Sequence, residues 1–166
     1  MNVKSVGESP VGSGQPARVS PAGLARIVRR AAARAADWRD LIRFDPAERW
    51  YLRLGQDDVH EVWLLTWLPG QQTGFHDHGE SAGAFAIASG RLTERAAADG
   101  RSGPSSRTLR TGSVRSFGSR YVHDVRNDSI EPAVSVHAYS PPLTSMRRYD
   151  ISDDGLLRVI AEERSW

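Results

Sequence analysis

Cysteine is absent from this chain, so neither a disulfide framework nor a thiolate metal site can form. Lysine is scarce. Arginine supplies nearly all the positive charge and is interspersed with acids, leaving a formal net charge of only +2. Without a basic tract there is no electrostatic footprint for nucleic acid, which is not expected as a partner. Long apolar runs are also missing: none approaches membrane-spanning length, and the N-terminus lacks the apolar core of a secretory signal. No membrane partner is expected, and the expected location is cytoplasmic. No internal repeat is evident. At 166 residues the chain has the size of one domain that buries its core without staples, and a monomer is the expectation.

Residues 1–19 are rich in Gly, Ser and Pro and poor in large apolar groups, a composition that cannot repay the entropy of ordering. A disordered tail is expected there, and a single domain over 20–166. Ser20-Pro21 reads as an N-cap followed by proline at the first helical position. Leu24, Ile27, Val28, Ala31 and Ala35 then recur at helical spacing, predicting a helix laid against the core. Arg26, Arg29, Arg30 and Arg34 read as its solvated face.

After Asp45-Pro46 the period changes to two, through WYLRL, a GQDD turn and VHEVWLLTWL, with Pro69-Gly70 as the stop. Further strands are expected at GAFAIAS, RLTERAA, RTLRT, VHDVRN and AVSVHAYS, separated by DGRSGPSS, Gly112 and NDSIEP. From Met146 onward the chain reads as a last strand, a DDG turn and an amphipathic segment whose type stays open. Closely spaced antiparallel strands without intervening helices exclude a doubly wound fold. They predict an all-β sandwich or barrel, of a size that can hold one small ligand.

The chemistry concentrates between Gly70 and Gly90. His76 and His78 sit two apart between turn residues and apolar alternation; if the stretch is extended, both imidazoles project from one face and need only one distant third ligand to hold a transition metal. Farther on, Ser135, His137 and Tyr139 alternate strictly with Val136 and Ala138, placing three polar groups on one strand face as a candidate hydrogen-bonded relay. No Gly-x-Ser-x-Gly elbow surrounds Ser135, which argues against a hydrolytic triad. Trp63, Trp67 and Phe85 read as core aromatics that can also keep a site dry.

The spacing resembles the first cupin motif: Gly70, five residues, His76-Asp77-His78, four residues, Gly83, six residues, Gly90. Gly112, five residues, Gly118, and then Arg120, His123 and Asn127 resemble the second, which makes His123 the third ligand. His60 fits neither and reads as an ordinary strand residue. The resemblance implies a cupin-type β-barrel, the double-stranded β-helix or jelly roll, with an N-terminal helical segment. Two departures stand out. Gly83 occupies the place of the family's ligand glutamate, with Glu80 three residues too early to replace it. Gly118 and Arg120 stand where proline and glycine are usual, so the turn before His123 is expected to differ.

Over about residues 46 to 145, HDH, HDVRN, the SVHAYSPP run and Arg53 within YLRL together resemble cysteine dioxygenase, the thiol dioxygenase branch of the cupins. That resemblance implies one Fe(II) per chain on His76, His78 and His123, a relay through Ser135, His137 and Tyr139, and Arg53 receiving the substrate carboxylate with Tyr51 beside it. The implied partners are L-cysteine and O2, and the implied product is cysteine sulfinic acid. Animal members link a cysteine to the relay tyrosine at the position of Gly83, which cannot happen here. The nearest alternative is a dioxygenase for another small thiol such as 3-mercaptopropionate, whose family has glutamine at the Arg53 position. A three-histidine zinc hydrolase, a metal-dependent isomerase and a non-catalytic binding cupin are the others.

Overall fold

A computed structural model describes residues 17–97, 104–152 and 156–164. Residues 1–16 of the expected tail, the expected DDG turn at 153–155 and most of the DGRSGPSS loop lie outside the described residues. Ala17 to Val19 lead into the fold: the Val19 amide donates to Ser140 Oγ at 2.8 Å, and Arg18 Nη1 donates to the Glu80 carbonyl at 3.1 Å.

The predicted helix forms as α1 (Pro21–Ala33), with Ser20 Oγ accepting the Gly23 amide at 3.2 Å. Such a cap contributes about 1 kcal/mol. Leu24 and Val28 are completely buried, each contributing about 1.5–3 kcal/mol of apolar burial. Arg26, Arg29, Arg30 and Arg34 are exposed.

Eleven strands follow among the described residues: β1 (Tyr51–Gln56), β2 (Glu61–Trp67), β3 (Phe75–His76), β4 (Ala82–Ser89), β5 (Arg91–Ala96), β6 (Ser105–Arg110), β7 (Val114–Phe117), β8 (His123–Arg126), β9 (Ala133–Ser140), β10 (Met146–Ile151) and β11 (Leu157–Glu163). They build two antiparallel sheets, ordered β1-β2-β9-β4-β7 and β11-β10-β3-β8-β5-β6. This is the all-β, double-stranded β-helix architecture expected. The amphipathic segment left open at the C-terminus is β11. β3 and β7 escape the periodicity argument, being too short or too mixed in polarity to show alternation.

The central strand β9 is buried at every position, because the other sheet covers one face and α1 the other. Val134, Val136 and Ala138 face α1, packing with Leu24, Val28 and Trp38. Tyr139 packs instead with the barrel interior, alongside Leu65, Trp67, Phe85, Ile87, Leu92, Leu109 and Phe117. Period two therefore sorts one strand into a structural face and a chemical face.

Candidate metal centre

The register carries the three histidines together. His76 on β3 pairs directly with His123 on β8, and His78 lies two residues past His76, at the start of the turn into β4. All three are buried. One ring nitrogen from each lies within 4.8 Å of the others. Asp77, between the two ligands, turns away: its Oδ1 accepts the Gly79 and Arg147 amides at 3.0 and 3.1 Å, and its Oδ2 accepts the Tyr149 hydroxyl at 2.6 Å. It ties the histidine pair to β10.

Hydrogen bonds decide which nitrogens remain for a metal. His76 Nδ1 lies 2.9 Å from the Gly74 carbonyl, and His123 Nδ1 lies 3.1 Å from Glu94 Oε1, so each leaves Nε2 free. Among the described residues neither nitrogen of His78 has a partner, although both are buried. An orphaned imidazole in a dry interior is costly unless a ligand completes it, and a metal ion on three converging imidazoles does so. Burial holds His76 well below the ordinary imidazole range, helped by His123 and partly opposed by the Gly74 carbonyl. Burial acts on His78 in the same direction, followed by His76, His123 and His137. Both are thus kept in the neutral form that binds metals.

Glu94 was not singled out by sequence, yet it supports the site from behind His123. It is completely buried and also meets Arg115 Nε at 2.8 Å and the Tyr121 hydroxyl at 3.2 Å. Burial pushes its carboxyl up, but the hydrogen bonds and charges of His123 and Arg115 outweigh that and leave it below the usual value. A carboxylate behind a ligand histidine fixes the ring and raises its basicity. The sequence did carry a signal, since Glu94 shares strand parity with buried Leu92 and Ala96.

Ser135, His137 and Tyr139 form the expected chain on β9, with Ser135 Oγ 2.8 Å from His137 Nε2 and His137 Nδ1 3.2 Å from the Tyr139 hydroxyl. Sequence missed its far end: Trp67 Nε1 donates to Ser135 Oγ at 2.8 Å. Phe85 stacks on His137 at 5.1 Å. Tyr139 stacks on His78 at 4.8 Å, joining the chain to the histidine cluster. Burial lowers His137 far below the usual imidazole value, aided by His123 and Arg49, and pushes the Tyr139 phenol far up.

Gly83 pairs with Tyr139 across β4 and β9. A Cβ there would collide with the Phe117 ring and come within 3.1 Å of Tyr139 Cδ1. Phe117 thus fills the space that a ligand glutamate or a linking cysteine would need. Arg120, where the family pattern has glycine, adopts φ 63°, a left-handed conformation that glycine takes more readily than arginine.

Beside Tyr139 opens a cavity of about 140 Å³, lined by Tyr51, Trp63, Leu65, Met146, Arg148 and Arg49 among others. Tyr51, expected beside Arg53, lines this cavity. Arg53 does not line this cavity; its guanidinium lies 3.9 Å from Glu61 Oε2, 5.3 Å over the Trp63 ring and nearly half exposed. His60 lies apart, its Nδ1 3.0 Å from Asp57 Oδ1. No helix among the described residues is long and apolar enough to cross a membrane.

Two antiparallel sheets enclosing three convergent histidines define a cupin with a metal-binding group. Three solved structures share this fold. TT1209 from Thermus thermophilus superposes with a TM-score of 0.56 at 23% identity, over 63% of this chain and 93% of that one. A conserved protein with a double-stranded β-helix domain from Klebsiella pneumoniae gives 0.54 at 19%, over 62% and 80%. An RmlC-like cupin from Desulfovibrio desulfuricans gives 0.53 at 18%, over 61% and 91%. These likenesses are of fold alone. The family model for cysteine dioxygenase type I matches residues 17–152, and the chain belongs to that family. Family and cluster together support a thiol dioxygenase kind of function.

Proposed function

We propose that the chain is an iron-dependent dioxygenase that adds both atoms of O2 to the sulfur of L-cysteine, giving cysteine sulfinic acid. One observation carries the reading: a buried three-imidazole cluster, one ring of which has no hydrogen-bond partner among the described residues, lies against a Ser-His-Tyr chain that ends on a neutral phenol. Fe(II) on His76, His78 and His123 would retain its full double charge and open positions, supplying thiol ionisation and dioxygen activation. No outside reductant is required. The sulfur gives up four electrons and dioxygen takes the same four, two S–O bonds forming as the O–O bond breaks.

The chain's own groups set the direction of the relay. Trp67 Nε1 can only donate, so Ser135 Oγ accepts it and turns its own proton to His137 Nε2. His137 then carries its proton on Nδ1 and donates to the Tyr139 oxygen, which leaves the phenol proton for an acceptor above His78. Burial keeps that phenol protonated at neutral pH, so the donor is always armed. Trp67 and Phe85, both completely buried, keep water from the back of the relay.

The reading is tested by loading metal-free protein anaerobically with iron, zinc, manganese or nickel and recording oxygen uptake over a thiol panel. Uptake with L-cysteine in the iron form alone, matched by sulfinate, is expected. Iron-loaded protein that consumes no oxygen with any thiol, or a zinc form that hydrolyses esters, would overturn it.

A further inference from the structure

We infer that Arg115, acting through Glu94, sets how strongly His123 pushes electron density onto the iron, and so helps hold the resting centre in the ferrous state. The inference rests on the iron of the dioxygenase reading and deepens it. Arg115 is a positioning residue, reaching the ligand through the carboxylate.

The two oxygens of the Glu94 carboxylate have different company. Oε1 serves the ligand side: it accepts from His123 Nδ1 at 3.1 Å and from the Tyr121 hydroxyl at 3.2 Å. Oε2 meets two guanidiniums, Arg115 Nε at 2.8 Å and Arg107 Nε at 3.6 Å. An ionised carboxylate only accepts, so His123 carries its proton on Nδ1. Arg115 comes from the other sheet, lying on β7 while Glu94 lies on β5. It shares strand parity with Phe117, which is buried in the barrel interior, so the guanidinium is aimed inward. Only a quarter of its side chain is exposed, against nearly half for Arg107, which stands opposite Glu94 in the pairing of β5 with β6.

A carboxylate behind a ligand histidine gives the imidazole anionic character, which stabilises the higher oxidation state of a bound metal. Glu94 is completely buried, with no water to spread its charge, and unaided it would push hard. That suits poorly a centre that has to wait as Fe(II) on three neutral ligands. Arg115 draws the negative charge toward Oε2 and away from His123, through the shortest of the four contacts the carboxylate makes. Arg107 adds to the effect from a more solvent-screened position. Neutralising one carboxylate needs one cation. Two on the same oxygen, the one turned away from the ligand, hold its charge back from the metal.

The test is the Fe(III)/Fe(II) midpoint of iron-saturated protein without thiol, read by spectroelectrochemistry. Arg115→Gln should move the equilibrium about tenfold toward Fe(III), a midpoint about 59 mV lower. Glu94→Gln, which removes the push, should move it upward. In the double variant, Arg115→Gln should add less than about a threefold change to that of Glu94→Gln, because the path through the carboxylate is gone. If Arg115→Gln does not fold, Arg107→Gln, at the more exposed position, should give a smaller downward shift with the melting temperature near wild type. A midpoint unchanged in these arginine variants is the signature of a pair that only ties the sheets, and it would overturn the inference. A full shift retained in the Glu94→Gln background would do the same, and either result leaves the dioxygenase reading intact. Wild-type protein that shows the expected shifts in its variants but takes up no oxygen with any thiol would overturn the dioxygenase reading alone. Protein that holds no iron would overturn both.

Discussion

His76 stands directly opposite His123 in the antiparallel pairing of β3 with β8, their rings 4.8 Å apart. That register builds the candidate metal centre. Side chains alternate faces along a strand, so a slip of one residue would turn His123 out of the barrel and dismantle the cluster. The β3 segment is only two residues long, and Asp77 and Asp124 brace it: Asp77 binds β10, and Asp124 Oδ1 accepts the Gly74 amide at 3.1 Å.

Tyr139→Phe removes the last donor of the relay and leaves the three imidazoles in place. Turnover should fall by about 10²- to 10³-fold, the usual loss for one preorganised donor, with iron content near wild type. Steady-state rates beside metal analysis check this. Unchanged turnover would remove Tyr139 from the chemistry.

Glu94→Gln keeps the shape behind His123 but loses the carboxylate. Metal affinity should drop about 10- to 100-fold, as for other partners of ligand histidines. Competition against a chelator measures it. An affinity equal to wild type would make Glu94 a partner of Arg115 alone.

His137 is held neutral, first by burial and then by the charges of His123 and Arg49. In the unfolded chain the same imidazole takes a proton near pH 6.5. Above that value both states are neutral and His137 contributes no slope. Below it the unfolded state binds more protons, so stability is lost as pH falls. Urea unfolding of wild type should lose stability more steeply below about pH 6.5 than His137→Asn, by up to about 1.4 kcal/mol per pH unit. Parallel profiles would show that the folded His137 is already charged.

Arg120 holds φ 63° with a side chain that gains little there, since its pairing with Glu80 at 3.4 Å is exposed on both sides. Arg120→Gly should raise stability by about 0.5–1 kcal/mol, relief of left-handed strain exceeding the added freedom of the unfolded chain. Chemical denaturation reads the difference directly. A destabilised variant would mean that the arginine is anchored by more than its backbone.

His76, His78 and the relay were legible in the sequence because each rests on local spacing, an i, i+2 pair and three polar residues at period two, whereas His123 was reached only through the resemblance to the second cupin motif. What joins them was not. Trp67 reaches Ser135 and Glu94 reaches His123 across strand pairings far apart in sequence, and no periodicity encodes which strands become neighbours. The cavity side shows the same limit. Alternation in RWYLR marks Arg49 and Arg53 equally, and only the three-dimensional course of β1 over β2 separates the cation above the relay from the one on Glu61. The short strands β3 and β7 were hidden for a different reason, each being fixed by its partners more than by its own residues.

The histidines of β3 and β8 belong to the six-stranded sheet, while Ser135, His137 and Tyr139 belong to the five-stranded one. The histidine cluster and the relay are therefore mounted on opposite walls, and the thickness of the apolar filling between the walls sets the gap between them. Side chains such as Ile87, Leu92 and Leu109, which pack in the same interior cluster as Tyr139, become spacers. Reactivity in this barrel can thus be adjusted as one adjusts the jaws of a vice, by shimming the interior, with every chemical group left in place.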